Sequence, residues 1–154
     1  MDFQLWPGLV GGGIGSALFT VVIIASYLFA KEIWLTEVTA GEVPFEWSPK
    51  GLLWVAAILG VMFVGSAATA GWVAAGGGTF WESVLAAYWV QVAINTADLL
   101  FIDIALYIWI HPKFMQFDGV PPLEGYWPHV KGAFNGLIIG APIALLSGAL
   151  AWLA

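Results

Sequence analysis

Four polar side chains interrupt the apolar stretch between residues 83 and 112: Gln91, Asn95, Asp98 and Asp103. The stretch is long enough and apolar enough to cross a bilayer, and Asp98 lies near its middle. A carboxylate at that depth costs several kcal/mol unless it is paired, hydrated or protonated. These four residues are therefore the candidate site for transport or ion binding.

On an α-helix, Gln91, Asn95 and Asp98 share one face, because they are spaced four and three residues apart. Asp103 is rotated by about 140° from Asp98, so we expect the two carboxylates to face different neighbours. No lysine or arginine lies within a predicted span, and desolvation then favours the neutral form of Asp98. Such a carboxyl can carry a proton, bind a cation when ionised, or only join helices. Its expected partners are Ser66, Thr69, Asn95, Asn135 and Ser147.

Composition identifies the solvent of this chain as lipid. Of its 154 residues, 61% are hydrophobic and 9% are charged, whereas soluble domains carry roughly 25% charged residues. Four apolar stretches approach the roughly 20 residues that a helix needs to cross a bilayer: about 8–30, 52–75, 84–110 and 133–154. Their continuous apolar character excludes the alternation of a β-barrel. The sequence predicts one all-α domain over 1–154, a four-helix transmembrane bundle of a polytopic membrane protein.

The fourth span carries a small residue at every fourth position. Small residues in such a register let two helices approach closely. We therefore predict that helices three and four pack as a joint unit through Gly132, Gly136, Gly140, Ala144 and Gly148.

Charge and residue usage exclude several function classes. The net charge of −6 argues against nucleic-acid binding, and the absence of cysteine excludes thiolate metal sites. The spacing of His111, Asp118, Glu124 and His129 matches no metal-ligand pattern. No serine lies in a Gly-x-Ser-x-Gly setting. We predict no metal and no cofactor, and we favour a role other than catalysis.

The lysines predict the orientation of the chain in the membrane. All four flank the segments 31–50 and 111–131, and the opposite side has none. The positive-inside rule then places both loops in the cytoplasm and both termini outside, in a multi-pass protein of the inner (plasma) membrane. Lys113, His129 and Lys131 are expected at the membrane interface, with the lysines near lipid phosphates.

The second half of the chain resembles an uncharacterised family of small bacterial four-helix integral membrane proteins. The motifs that carry the resemblance are Asn-x-x-Asp-Leu-x-x-x-Asp, Pro-Lys-Phe and His-x-Lys-Gly-x-x-x-Gly, which occur here at 95–103, 112–114 and 129–136. The match covers roughly 91–140. The resemblance implies the four-helix fold and a shared pattern of polar residues, and it implies no activity.

Two functional hypotheses follow. In the first, the protein is a transport or permeation component, oligomeric within the lipid bilayer, and the stripe of Gln91, Asn95 and Asp98 handles a proton, a cation or a small polar solute. In the second, it is a non-catalytic accessory or scaffold subunit, and the stripe and the glycine ridge dock a larger membrane partner. An enzyme acting on lipid through Asp103, His111 and His129 is a more distant third.

Overall fold

A computed structural model describes residues 5–35, 39, 48–120 and 125–154. Its four long helices are α1 (Leu5–Ala30), α2 (Pro49–Ala75), α3 (Phe80–Ala97) and α4 (Trp127–Leu153). Without a break, α3 continues as a π-helix over Asp98–Ile110, and short 3-10 turns cover Lys31–Trp34 and Lys113–Met115. All four helices are long and apolar enough to span a membrane. The predicted four-helix membrane bundle is thereby confirmed; parts of the predicted loops, at 36–38, 40–47 and 121–124, lie outside the described residues.

Each helix begins three to six residues before the predicted apolar run, and side chains cap the first turns of α2 and α3. The Ser48 hydroxyl accepts a hydrogen bond from the Gly51 N–H at 3.0 Å, with a proline in the first turn. Thr79 and Glu82 form a reciprocal capping box at the start of α3. At the start of α4, the first turn holds Pro128. His129 therefore belongs to α4 and not to the preceding loop.

α3 lies at the centre of the bundle. It packs against α1, α2 and α4, and its contact with α4 is the most extensive between any two helices. α2 likewise packs against α1 and α4. The pair α3–α4 is thus the closest-packed unit, as the register of small residues predicts.

Glycines on α4 seat this helix against α3. A Cβ at Gly148 would lie 3.0 Å from the backbone N and Cα of Val84, and one at Gly140 would lie 2.8 Å from Cβ of Gln91. A Cβ at Gly136 would collide with the Asn95 carboxamide. Gly132 differs from the rest of the predicted ridge: it is exposed and lines a cavity.

The lysine-bearing segments meet at one end of the bundle. The Lys31 ammonium donates to the Gln116 carbonyl at 3.2 Å and lies 5.5 Å from the centroid of the Phe117 ring. Lys50 pairs with Glu32 at 3.2 Å. We call this end of the bundle, where α1 ends and α2 and α4 begin, the lysine end.

The glycine contacts predict a position-specific cost of adding one methyl group. Gly148→Ala should lower the free energy of unfolding by about 1–3 kcal/mol, since two of the three neighbouring Val84 atoms are backbone atoms that cannot rotate away. Gly71→Ala is the matched control, because nothing lies within 4 Å of its added Cβ, and helix propensity should stabilise it by about 0.5–1 kcal/mol. Unfolding in a denaturing detergent titration measures both; equal stability of the two variants would contradict the close contact.

Candidate functional site

Gln91 joins three helices in the membrane interior. Its side chain is fully buried, and its amide nitrogen donates to the Met62 carbonyl at 2.9 Å and to the Ser66 hydroxyl at 2.6 Å. Ser66 in turn donates to the Ala87 carbonyl, and α4 passes over Gln91 at Gly140. The predicted role of Gln91 as a ligand-facing residue thus gives way to a packing role, because its donor bonds are used between helices.

A cavity of about 770 Å³ opens on the side of Gln91 that faces the lysine end. Along α4 its lining extends from Trp127 to Ile139, which is about 18 Å of helix. A hydrocarbon core is roughly 30 Å thick, so the cavity reaches the middle of the membrane. Its polar lining residues are Asn95, Asp98, Asp103, His129, Lys131 and Asn135. We call this space the acidic cavity.

The expectation that Asp98 and Asp103 face different neighbours is wrong, since both line the acidic cavity. The reason is the π-helix that begins at Asp98. Its hydrogen bonds join residues five apart, as in the 2.7 Å bond from the His111 N–H to the Leu106 carbonyl. Residues five apart therefore return to one side of the helix, whereas an α-helix separates them.

His129, which is predicted at the membrane interface, lies in the first turn of α4 with its side chain buried in the bundle. Its side chain is 5% exposed, and Nδ1 lies 3.3 Å from Oδ1 of Asp103. This is an ion-pair distance, but the geometry of the contact is not that of a hydrogen bond. Neither ring nitrogen has a hydrogen-bond partner among the described residues. The Tyr107 ring lies 5.3 Å from the imidazole. The early start of α4 brings His129 beside Asp103.

The two lysines predicted at the interface are exposed at the lysine end, and they differ in one respect. Lys131 lines the acidic cavity. Lys113 begins the 3-10 turn after the π-helix and does not line the cavity. Sequence reasoning missed the roles of His129 and Lys131 in the cavity; the signal that could have found them is the proline at 128, which is typical of a first helical turn.

Among the expected partners of Asp98, the two asparagines share its cavity and the hydroxyls do not. Asn95 donates to the Gln91 carbonyl at 2.9 Å, which fixes the side chain at the inner end of the cavity. Ser66 bonds to Gln91, and Thr69 donates to the Gly65 carbonyl. The polar groups of the cavity are thus carboxylates, amides, an imidazole and an ammonium, and the expected hydroxyl partners of Asp98 do not line it.

The chemistry open to the acidic cavity depends on the side chains that line it. No serine, threonine or tyrosine is among its described lining residues, and no group of three histidine or acidic side chains that could hold a metal ion occurs in the described part of the chain. His111, the third residue of the lipid-enzyme hypothesis, contacts Tyr107 and does not line the cavity. Carboxylates in a mostly apolar space are suited to holding a positive charge.

No family model, curated protein or solved structure matches this chain. Evidence for the function of this chain therefore comes from the geometry of the acidic cavity.

The cavity predicts a water-accessible surface inside the membrane span. The chain has no cysteine, so a single introduced thiol is unique. Asn135→Cys lies on an exposed, cavity-lining position and should react with a charged methanethiosulfonate reagent. Ile138→Cys on the same helix is the control: Ile138 is 70% exposed but does not line the cavity, so lipid should shield it. Equal rates of modification, followed by mass spectrometry, would contradict a hydrated cavity.

Proposed function

We propose that this integral membrane protein is a transport or permeation component that handles a proton or another cation in the acidic cavity. The observation that carries the proposal is that Asp98 and Asp103 line one cavity, which runs from the lysine end to the middle of the membrane. Intramembrane carboxylates in such positions are typical of ion and proton pathways. Asp98 lies deeper and Asp103 lies beside His129.

The packing around Gln91 gives this pathway an inner boundary. Gly140 packs against the Gln91 side chain, and Gly136 against Asn95, where the cavity ends. A cation that enters from the lysine end is therefore stopped at mid-membrane. Passage to the other side requires α3 and α4 to separate at these contacts, as helices do when a transporter alternates between two open states.

The scaffold hypothesis requires the polar stripe and the glycine ridge to be exposed for a partner. Gln91 and Asn95 are buried in the bundle, as are Gly140 and Gly148 on α4. Gln91 and Asn95 of the polar stripe and this part of the glycine ridge are therefore not exposed for a partner. The geometry accordingly favours a binding cavity over a docking face.

The positive-inside rule also predicts which side of the membrane the cavity faces. With the lysine end in the cytoplasm of a plasma-membrane protein, the acidic cavity opens inward and both termini lie outside. We predict that Asp118→Cys, on an exposed loop at the lysine end, is labelled by an impermeant maleimide only in inverted vesicles. A cysteine added after Ala154 should be labelled in intact cells. The reverse pattern would contradict the orientation.

Asp98→Asn tests the transport proposal with little change of shape, because it keeps hydrogen-bonding capacity and removes the titratable charge. Purified protein in liposomes is assayed for Rb⁺ uptake and for proton uptake under an imposed potential. Asp98→Asn and Asp103→Asn should each reduce the active flux at least about tenfold, and Asp118→Asn, in the exposed loop, should leave it unchanged. Unaltered flux in the cavity variants, or no flux in the unmodified protein, would refute the proposal.

A further inference from the structure

We propose that the acidic cavity binds an amphiphilic organic cation, an ammonium group carried on an apolar body, in preference to a bare inorganic ion. This inference rests on the proposed function, since it names the class of cation that the same site takes. Its basis is the size of the cavity, the chemistry of its wall and the place where it opens.

The size of the cavity suits an organic molecule. Its volume of about 770 Å³ falls within the roughly 300–1,000 Å³ of pockets that hold drug-sized ligands. A proton or an inorganic cation needs only a few converging ligands and no such space. The excess volume is therefore room for the apolar body of a ligand.

The wall is apolar and aromatic, with its charged groups confined to α3 and α4. Apolar side chains from α1, α2, the 3-10 turn and α4 include Phe19, Ile23, Trp34, Ile58, Met62 and Trp127. An apolar pocket with a few placed polar groups orients a ligand that has one polar end. Both indoles line the cavity, and the ring of Trp34 is stacked on Tyr27 at 5.2 Å, which leaves its other face for an ammonium group.

The polar end of the cavity selects positive charge. Among the described lining residues there are two carboxylates, Asp98 and Asp103, and one lysine, Lys131. His129 also lines the cavity; its side chain is 95% buried, and its Nδ1 lies 3.3 Å from Oδ1 of Asp103. An alkylammonium can donate charge-assisted hydrogen bonds to a carboxylate.

The cavity also opens sideways toward the lipid. Leu59 of α2 and Ile139 of α4 line it and are 43% and 52% exposed. They lie about 15 Å and 18 Å along their helices from the lysine end, which is near mid-membrane. An amphiphile dissolved in the bilayer can thus enter between α2 and α4. Its ammonium group belongs either to a free organic amine or to the headgroup of an amine-bearing lipid.

The test is a binding measurement on the full-length protein in a neutral maltoside detergent, with 4-phenylbutylammonium as the probe. The neutral 4-phenylbutanol, of nearly the same shape, is its matched control. Isothermal titration calorimetry should show the ammonium bound at least about tenfold more tightly than the alcohol. Equal affinities, or no binding of the ammonium, would overturn the inference without any variant having to fold.

Variants then locate the site. Asp98→Asn and Asp103→Asn should each weaken ammonium binding at least about tenfold and leave alcohol binding unchanged, and Asp118→Asn should change neither. Retention of the wild-type affinity in both cavity variants would place the bound amine elsewhere and overturn the inference.

The outcomes separate this inference from the proposed function. Rb⁺ or proton flux that depends on Asp98, with no ammonium binding, would overturn the organic-cation site and leave transport standing. Ammonium binding that depends on Asp98, with no uptake of Rb⁺, protons or 4-phenylbutylammonium into liposomes, would support the site and refute transport.

Lipid competition identifies the source of the ammonium group. If phosphatidylethanolamine weakens binding of the probe at least about tenfold and phosphatidylglycerol does not, the cavity takes a lipid headgroup. If neither lipid competes, the ligand is a free amine. Equal competition by both lipids would show that the cavity does not select the amine and would overturn the inference.

Discussion

The buried carboxamide of Gln91 is the constraint around which the bundle is arranged. In hydrocarbon a polar group must find its partners inside the protein, and the amide nitrogen of Gln91 finds them at Met62 and Ser66 of α2. This bond ties α3 to α2, and Gly140 lets α4 close over the same side chain. On one side of this layer the helices pack tightly through small buried residues, namely Ala70, Ala87 and Ala144. On the other side they separate and enclose the acidic cavity.

A change of helical pitch determines the chemistry of that cavity. Up to Ala97 α3 is an α-helix, which suits the packing of Gln91 and Asn95 against neighbouring helices. From Asp98 the backbone bonds over five residues, and the second carboxylate returns to the side of the first. Had the α-helix continued, the bundle would present one carboxylate to the cavity and one to another neighbour. Long π-helices are rare, and shorter π segments occur frequently at functional sites.

The membrane spans could be predicted because hydropathy over about 20 residues depends only on local sequence. The packing of α4 could be predicted for a similar reason, since small residues in register on one helix face let a neighbouring helix approach closely. Two features of the site could not be predicted from the sequence. The relation of Asp98 to Asp103 depends on the pitch of the backbone, and periodicity arguments assume that it is that of an α-helix. The pairing of His129 with Asp103 depends on where α4 begins, and the proline at 128 marks that start more reliably than the first apolar residue does.

Thiol reactivity tests most directly whether the two aspartates share one water-accessible cavity. Asp98→Cys and Asp103→Cys, each in the otherwise cysteine-free chain, are treated with a methanethiosulfonate reagent that carries a trimethylammonium group. Leu100→Cys, at an exposed position between them that does not line the cavity, measures the background reactivity of a lipid-facing thiol. The shared cavity predicts that both aspartate positions react at similar rates, at least about tenfold faster than the background. Reaction at only one of them would contradict the account, because it would return the two carboxylates to different faces of the helix.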